Sequence, residues 1–141
     1  MRSTSVDDEL VTRLRLALAR SARRLRQESG TGLSPSLTAA LATIERHGPL
    51  TPSELAARER VQRPTVTRIV DRLEELGLVT RAADPGDRRS SLITVTRAGR
   101  ELLASARTRK DAFLSERLEA LGPEERATLE RAASLLEDML E

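Results

Sequence analysis

The chain is 141 residues long, 38% hydrophobic and 33% charged, with a formal net charge of +2; that length suits one domain, with or without dimerising extensions. It has no cysteine and a single histidine, His47, which excludes disulfides, thiol redox chemistry and any Cys-based or multi-histidine metal site. No stretch approaches the roughly 18 consecutive apolar residues of a membrane span, and Asp7, Asp8 and Glu9 stand where a secretory leader would be apolar, so a soluble, cytoplasmic protein without cofactor is expected.

With Phe113 as the one aromatic residue, the core must come from Leu, Val, Ile and Ala, as in packed helices. Val11, Leu14, Leu18, Ala22 and Leu25 recur at steps of three and four, predicting a first helix near 7–28 that ends at Ser29-Gly30-Thr31-Gly32. Ser34-Pro35 reads as an N-cap followed by proline and opens a second helix carrying Leu37, Leu41 and Ile44, which Gly48-Pro49 stops. Thr51-Pro52-Ser53-Glu54 is a capping box that starts a short third helix with Leu55 and Ala56 inside, and residues 58–62 read as a turn. Pro64 opens a fourth helix with an apolar stripe of Val66, Ile69, Val70, Leu73 and Leu76, and Gly77 sits where a terminating glycine is expected. Leu78 to Arg81 reads as a strand, Asp84-Pro85-Gly86-Asp87 as a turn, Leu92 to Val95 as the returning strand, and Thr96 as the cap of the next helix. Two long helices follow. One spans about 97–120 with Leu102, Leu103, Ala106, Phe113, Leu114 and Leu118; the last starts at Gly122-Pro123 and carries Leu129, Ala133, Leu136 and Leu140.

The order helix, turn, helix, hairpin is that of a winged helix-turn-helix, whose second helix enters the major groove of DNA N-terminal end first. At about 100° per residue, Pro64, Arg68, Asp71 and Glu75 lie opposite the apolar stripe of the fourth helix, with Thr65, Thr67 and Arg72 on its flanks. Near the helix start, Gln62, Arg63, Thr65, Thr67 and Arg68 are therefore exposed to grip phosphates or read base edges. Arg68 is the best candidate for a guanine contact. The competing reading of this face is solvation, with Arg68 paired to Asp71 and Arg72 to Glu75. The hairpin turn carries Asp87-Arg88-Arg89, and adjacent arginines there suit a narrow, electronegative minor groove; the competing reading is a charged, soluble edge.

Charge placement agrees. Residues 58–110 hold thirteen basic against seven acidic side chains, whereas residues 111–141 hold three against nine. A basic middle beside an acidic end is the footprint of a polyanion on one part of the fold. Arginine supplies 23 of the 24 cations, the side chain that grips phosphate bidentately.

Residues 62–79, Gln-Arg-Pro-Thr-Val-Thr-Arg-Ile-Val-Asp-Arg-Leu-Glu-Glu-Leu-Gly-Leu-Val, resemble the recognition helix of the MarR family, and Asp84-Pro85-Gly86-Asp87-Arg88-Arg89 with Leu92 to Thr96 and Gly99 resembles its wing. The helix order extends the likeness over nearly the whole chain. The resemblance implies a mainly α fold with a small β-hairpin wing: a dimerisation helix in 1–33, a winged helix-turn-helix in 34–96 and dimerisation helices in 97–141. It implies a homodimer that binds double-stranded DNA at a palindromic operator, usually as a repressor. It further implies Thr65, Thr67 and Arg68 as major-groove readers, with Gln62, Arg63, Pro64 and Arg72 beside them. Arg88 is then the minor-groove insert, with Arg89 next in line, and Asp87 positions the wing arginine. Many relatives release DNA when a small, often aromatic and anionic, effector enters between the dimer helices and the winged lobe. Arg15, Arg20 and His47 are the side chains offered for that role, against readings as surface charges and a helix-end histidine.

The acidic last helices support the dimer independently, because a Leu-rich amphipathic pair needs a surface on which to bury itself. Oxidation sensing through cysteine and metal sensing through histidine clusters are excluded. The alternative function is a winged-helix module for protein–protein contact, but such a face would expose apolar anchors where this one exposes Arg and Thr. An enzyme would need a nucleophile–base pair or a metal, and nothing here builds one.

Overall fold

The computed structural model describes residues 3–141, with side chains from Asp7 onward. Helices α1 (Ser3–Ser29), α2 (Pro35–His47), α3 (Pro52–Glu59) and α4 (Arg63–Glu75) precede strands β1 (Val79–Asp84) and β2 (Asp87–Val95), and α5 (Arg97–Glu119) and α6 (Pro123–Met139) follow. The chain divides into two units: residues 29–107, and residues 1–28 with 108–141.

The winged unit is closed around one apolar cluster. Leu41 and Ile44 of α2, Leu55 of α3, Val66, Val70 and Leu73 of α4, and Val79 and Ile93 of the hairpin are at most 2% exposed. Leu103 of α5 joins them. Each fully buried Leu or Val contributes about 1.5–3 kcal/mol relative to exposure, so the position of α4 is fixed by its stripe. Leu76 departs from that stripe. It is the C-cap of α4 and is exposed, because the helix ends before its face turns inward again.

The caps do much of the placing. Ser34 Oγ accepts from the Leu37 amide at 3.3 Å, and Thr51 Oγ1 accepts from the Glu54 amide at 3.2 Å while donating to the Glu54 carboxylate. Helix α3 runs on through Glu59, further than the turn expected at 58–62. It stops at Arg60, which adopts the left-handed conformation (φ 54°) with its amide donating to the carbonyls of Ala56 and Ala57. At the far end of α4, Gly77 is left-handed (φ 73°); its amide donates to the Glu74 carbonyl and that of Leu78 to Leu73, both at 2.9 Å. This pair of bonds is the Schellman termination. It turns the chain directly into β1 and buries Leu78 beside Leu73.

Strands β1 and β2 form an antiparallel hairpin with Val79 opposite Val95 and Ala83 opposite Ser91. The register then jumps so that Asp84 faces Asp87, leaving Arg88, Arg89 and Ser90 as a bulge on β2. Leu50 adds a bridge on the other side of β2 by exchanging both backbone bonds with Ile93. Thr96 caps α5 as predicted: its hydroxyl accepts from the Gly99 amide and donates to the Gly77 carbonyl at 2.7 Å. A Cβ at Gly99 would lie 2.4 Å from the Leu78 carbonyl oxygen, so only glycine lets α5 approach the root of the wing this closely.

In the terminal unit α6 buries none of its side chains. Phe113 of α5 is flanked by the guanidinium groups of Arg24 and Arg117, 5.1 and 4.8 Å from the ring centre, a cation–π arrangement.

Candidate nucleic-acid interface

The expected readers fall on two flanks of α4. Arg63 and Thr67 face a cleft of about 360 Å³ that Arg81 of β1 and Arg89 of β2 close from the other side. Thr65 lies on the opposite flank, where with Ile69 it lines a shallow groove against Pro35 and Ala39 of α2. Arg68 sits between them on the exposed ridge with Pro64. Gln62 is the N-cap of α4 with its side chain free of any capping bond.

Hydrogen bonding sorts these side chains further. The Arg63 guanidinium donates to Ser53 Oγ at 2.6 Å and so ties the start of α4 to α3. The Thr67 hydroxyl donates back to the Arg63 carbonyl at 3.1 Å, which fixes its rotamer and leaves its oxygen to accept. Arg72 is paired with Glu75 at 3.2 Å, as the solvated-face reading expects. The other half of that reading fails. Asp71 is paired not with Arg68 but with Arg81, whose Nε also lies 3.8 Å from a Glu74 oxygen. Among the described residues Arg68 is the one arginine of α4 with neither hydrogen bond nor ion pair.

The wing differs in detail from the sequence expectation. Arg88 and Arg89 are residues of β2, not of the turn, which is reduced to Pro85-Gly86. Asp87 does not hold a guanidinium: its Oδ1 accepts from the backbone amide of Arg89 at 2.9 Å. Asp84 does the same for the Gly86 amide. Two such aspartate turns stiffen the tip without using the arginine side chains. Arg88 and Arg89 are both exposed, and Arg89 is the one that lines the cleft with Arg63 and Thr67.

Arg81 is the side chain that sequence reasoning misses. Its signal is present: Asp71 and Glu74, three apart on the flank of α4 that carries Thr67, need a cation from the element that follows Gly77. The effector candidates lie apart in the chain. Arg20 lines a pocket of about 280 Å³ in the terminal unit with Arg24, Leu25 and Phe113. Arg15 is exposed on α1. His47 is exposed at the end of α2, beside Thr43 and Arg46 in the winged unit.

A short helix, a turn, a second helix presenting a polar ridge, and an arginine-bearing hairpin define a winged helix-turn-helix protein. The MarR family model matches residues 33–91. An uncharacterised HTH-type transcriptional regulator of Mycobacterium bovis is 40% identical over 131 residues, 92% of each chain. The HTH-type transcriptional repressor MdtR of Bacillus subtilis is 30% identical over 117 residues, 77% of this chain and 76% of its own. The structure of a MarR family protein from Bacillus stearothermophilus matches with a TM-score of 0.80 and 27% identity over 100% of this chain and 99% of that one. A point mutant of MepR from Staphylococcus aureus, solved bound to an oligodeoxyribonucleotide, shares the fold at a TM-score of 0.72 and 19% identity, over 93% and 97% of the two chains.

The chain belongs to the MarR family. It is a DNA-binding transcriptional regulator and not an enzyme. No helix among the described residues is long and apolar enough to cross a membrane.

Proposed function

We propose that the protein works in the cytoplasm as a homodimeric repressor that binds a palindromic operator. The start of α4 enters the major groove, where Thr65, Thr67 and Arg68 read base edges and Gln62, Arg63, Pro64 and Arg72 stand at the backbone. The wing follows the adjacent minor groove with Arg88, and with Arg89 behind it; Asp87 holds the backbone on which both are carried. The observation that carries this reading is the unpaired Arg68 guanidinium on the exposed ridge of α4, together with a wing whose bulge carries two arginines. A bidentate arginine–guanine contact uses two of the five N–H donors of a guanidinium, and Arg68 has all of them disengaged.

The homodimer is supported by the terminal unit, where Leu129, Leu135 and Met139 of α6 are 48, 67 and 63% exposed. Regulation by a small aromatic anion is supported by the pocket that Arg20 shares with Arg24 and Phe113, which offers cations and a ring together. Selection of bound sites from random DNA tests the whole reading. The expected product is a palindrome whose half-sites lie about one helical turn, roughly 34 Å, apart. Recovery of unrelated sequences would leave only sequence-independent binding.

A further inference from the structure

We propose that Arg81 is a specificity-determining residue that never touches a base: by holding Asp71 and Glu74 it keeps the Arg68 guanidinium unpaired and available for DNA. The inference rests on the major-groove role of Arg68 proposed above.

Residues three apart on a helix are surface neighbours, and opposite charges at that spacing attract. Arg68 and Asp71 stand at that spacing, as do Arg72 and Glu75. The second pair forms, at 3.2 Å. The first does not: Asp71 is one methylene shorter than Glu75, and it is taken by a cation from outside α4. Arg81 reaches from β1 and its Nη2 donates to Asp71 Oδ1, while its Nε lies 3.8 Å from Glu74 Oε2. Its side chain is 33% exposed against 57% for Arg72, so it is the more enclosed of the two paired cations. The Schellman turn at Gly77 sets β1 at the height of Asp71, which is why a strand residue and not a helix residue makes this contact.

All three carboxylates of α4 are thereby occupied: Glu75 by Arg72, and Asp71 and Glu74 by Arg81. Of its three arginines, Arg63 is held by Ser53 and Arg72 by Glu75. Arg68 alone is left over. Were Arg81 removed, Asp71 would be left to Arg68, three residues before it on the helix, and that ion pair would compete with the base contact.

The test is epistasis in base discrimination. On the site recovered by selection, affinity is compared with that on the same site altered at the base pair that Arg68→Ala ceases to distinguish. Arg81→Gln should lower this discrimination by about two- to fivefold, the most that one exposed ion pair of up to about 1 kcal/mol can withhold from the contact. Adding Asp71→Asn should restore the parent's discrimination, because the competitor for Arg68 is gone; independent contributions would instead simply add. In an Arg68→Ala background, Arg81→Gln should change discrimination no further. Melting temperatures of these variants should stay within a few degrees, as expected for an exposed pair, so the readout is not one of folding. If Arg81→Gln/Asp71→Asn remains as undiscriminating as Arg81→Gln alone, Arg81 acts on DNA directly and the proposal is wrong. A parent protein that selects no sequence is a different result: it removes the operator reading, and the role of Arg81 with it.

Discussion

The two units solve the problem of apolar surface in opposite ways. Every buried hydrophobic side chain among the described residues lies in the winged unit, from Ala40 to Ala106. Of the eleven exposed large hydrophobics among the described residues, ten lie in the terminal unit, and the exception, Leu76, is a helix cap. The winged unit thus closes on itself, with α2, α3, α4, the hairpin and the first part of α5 sharing one core. The terminal unit carries helices of the same Leu/Ala composition and leaves their stripes open. Burial contributes about 25 cal/mol per Å² of apolar surface, so open stripes forgo the main stabilising term. The difference teaches that one unit is specified by its own chain while the other leaves open the apolar surface that the second copy of the proposed dimer would cover.

Two experiments would break that contrast if it is wrong. The largest effect belongs to α6. A chain ending at Leu121 lacks Leu129, Leu135, Leu136 and Met139, and light scattering should find it monomeric where the full chain is a dimer. A truncated chain that still scatters as a dimer would locate the interface outside α6. Next comes the core of the winged unit. Leu73 is wholly buried, and Leu73→Ala should cost about 2–5 kcal/mol in denaturant unfolding, through lost transfer energy and a residual cavity. By comparison, the cost of Leu135→Ala should depend on protein concentration, reaching its full value where the parent is dimeric and vanishing on dilution below the dissociation constant, because its partner surface is on another chain. Equal, concentration-independent losses at both positions would erase the distinction between the units.

How much of this is legible in the sequence follows the same division. Where local chemistry decides, the sequence suffices. Ser34-Pro35, Thr51 with Glu54, Gly77 and Thr96 carry their caps in their own atoms, and each sits where its side chain or its missing side chain requires. The stripe of α4 is readable as far as Leu73 because periodicity reports burial. What cannot be read are contacts set by register between elements. Pairing strengths along a hairpin do not announce a three-residue slip, so Arg88 and Arg89, expected in a turn, stand instead in a bulge of β2. Asp87, expected to hold a guanidinium, takes a backbone amide two residues on, which the commonness of aspartate turns could have indicated. The freedom of Arg68 depends on Arg81, ten residues beyond Asp71, and helical spacing alone favours the wrong partner.

The wing offers the smallest effect and the finest division within the winged unit. Both arginines ride on the same bulge, yet their surroundings differ: Arg89 lines the cleft with Arg63 and Thr67, while Arg88 does not. A side chain that enters the minor groove replaces counterions, and its loss should weaken operator and non-operator DNA alike. Arg88→Ala should therefore lower the slope of log K against log salt by about 0.9, the value of one phosphate-like contact on duplex DNA. Arg89→Ala should change the slope less, because Arg89 lines the cleft beside the recognition helix and its guanidinium would face that cleft and not the next groove. If the larger change in slope follows Arg89, the bulge presents the arginine nearer α4 to the DNA, and the insert is Arg89. Neither substitution touches an apolar side chain of the terminal helices, so the dimer should dissociate at the same concentration in both variants. A wing substitution that shifted that concentration would mean that the two units, so different in how they bury their surface, are energetically linked.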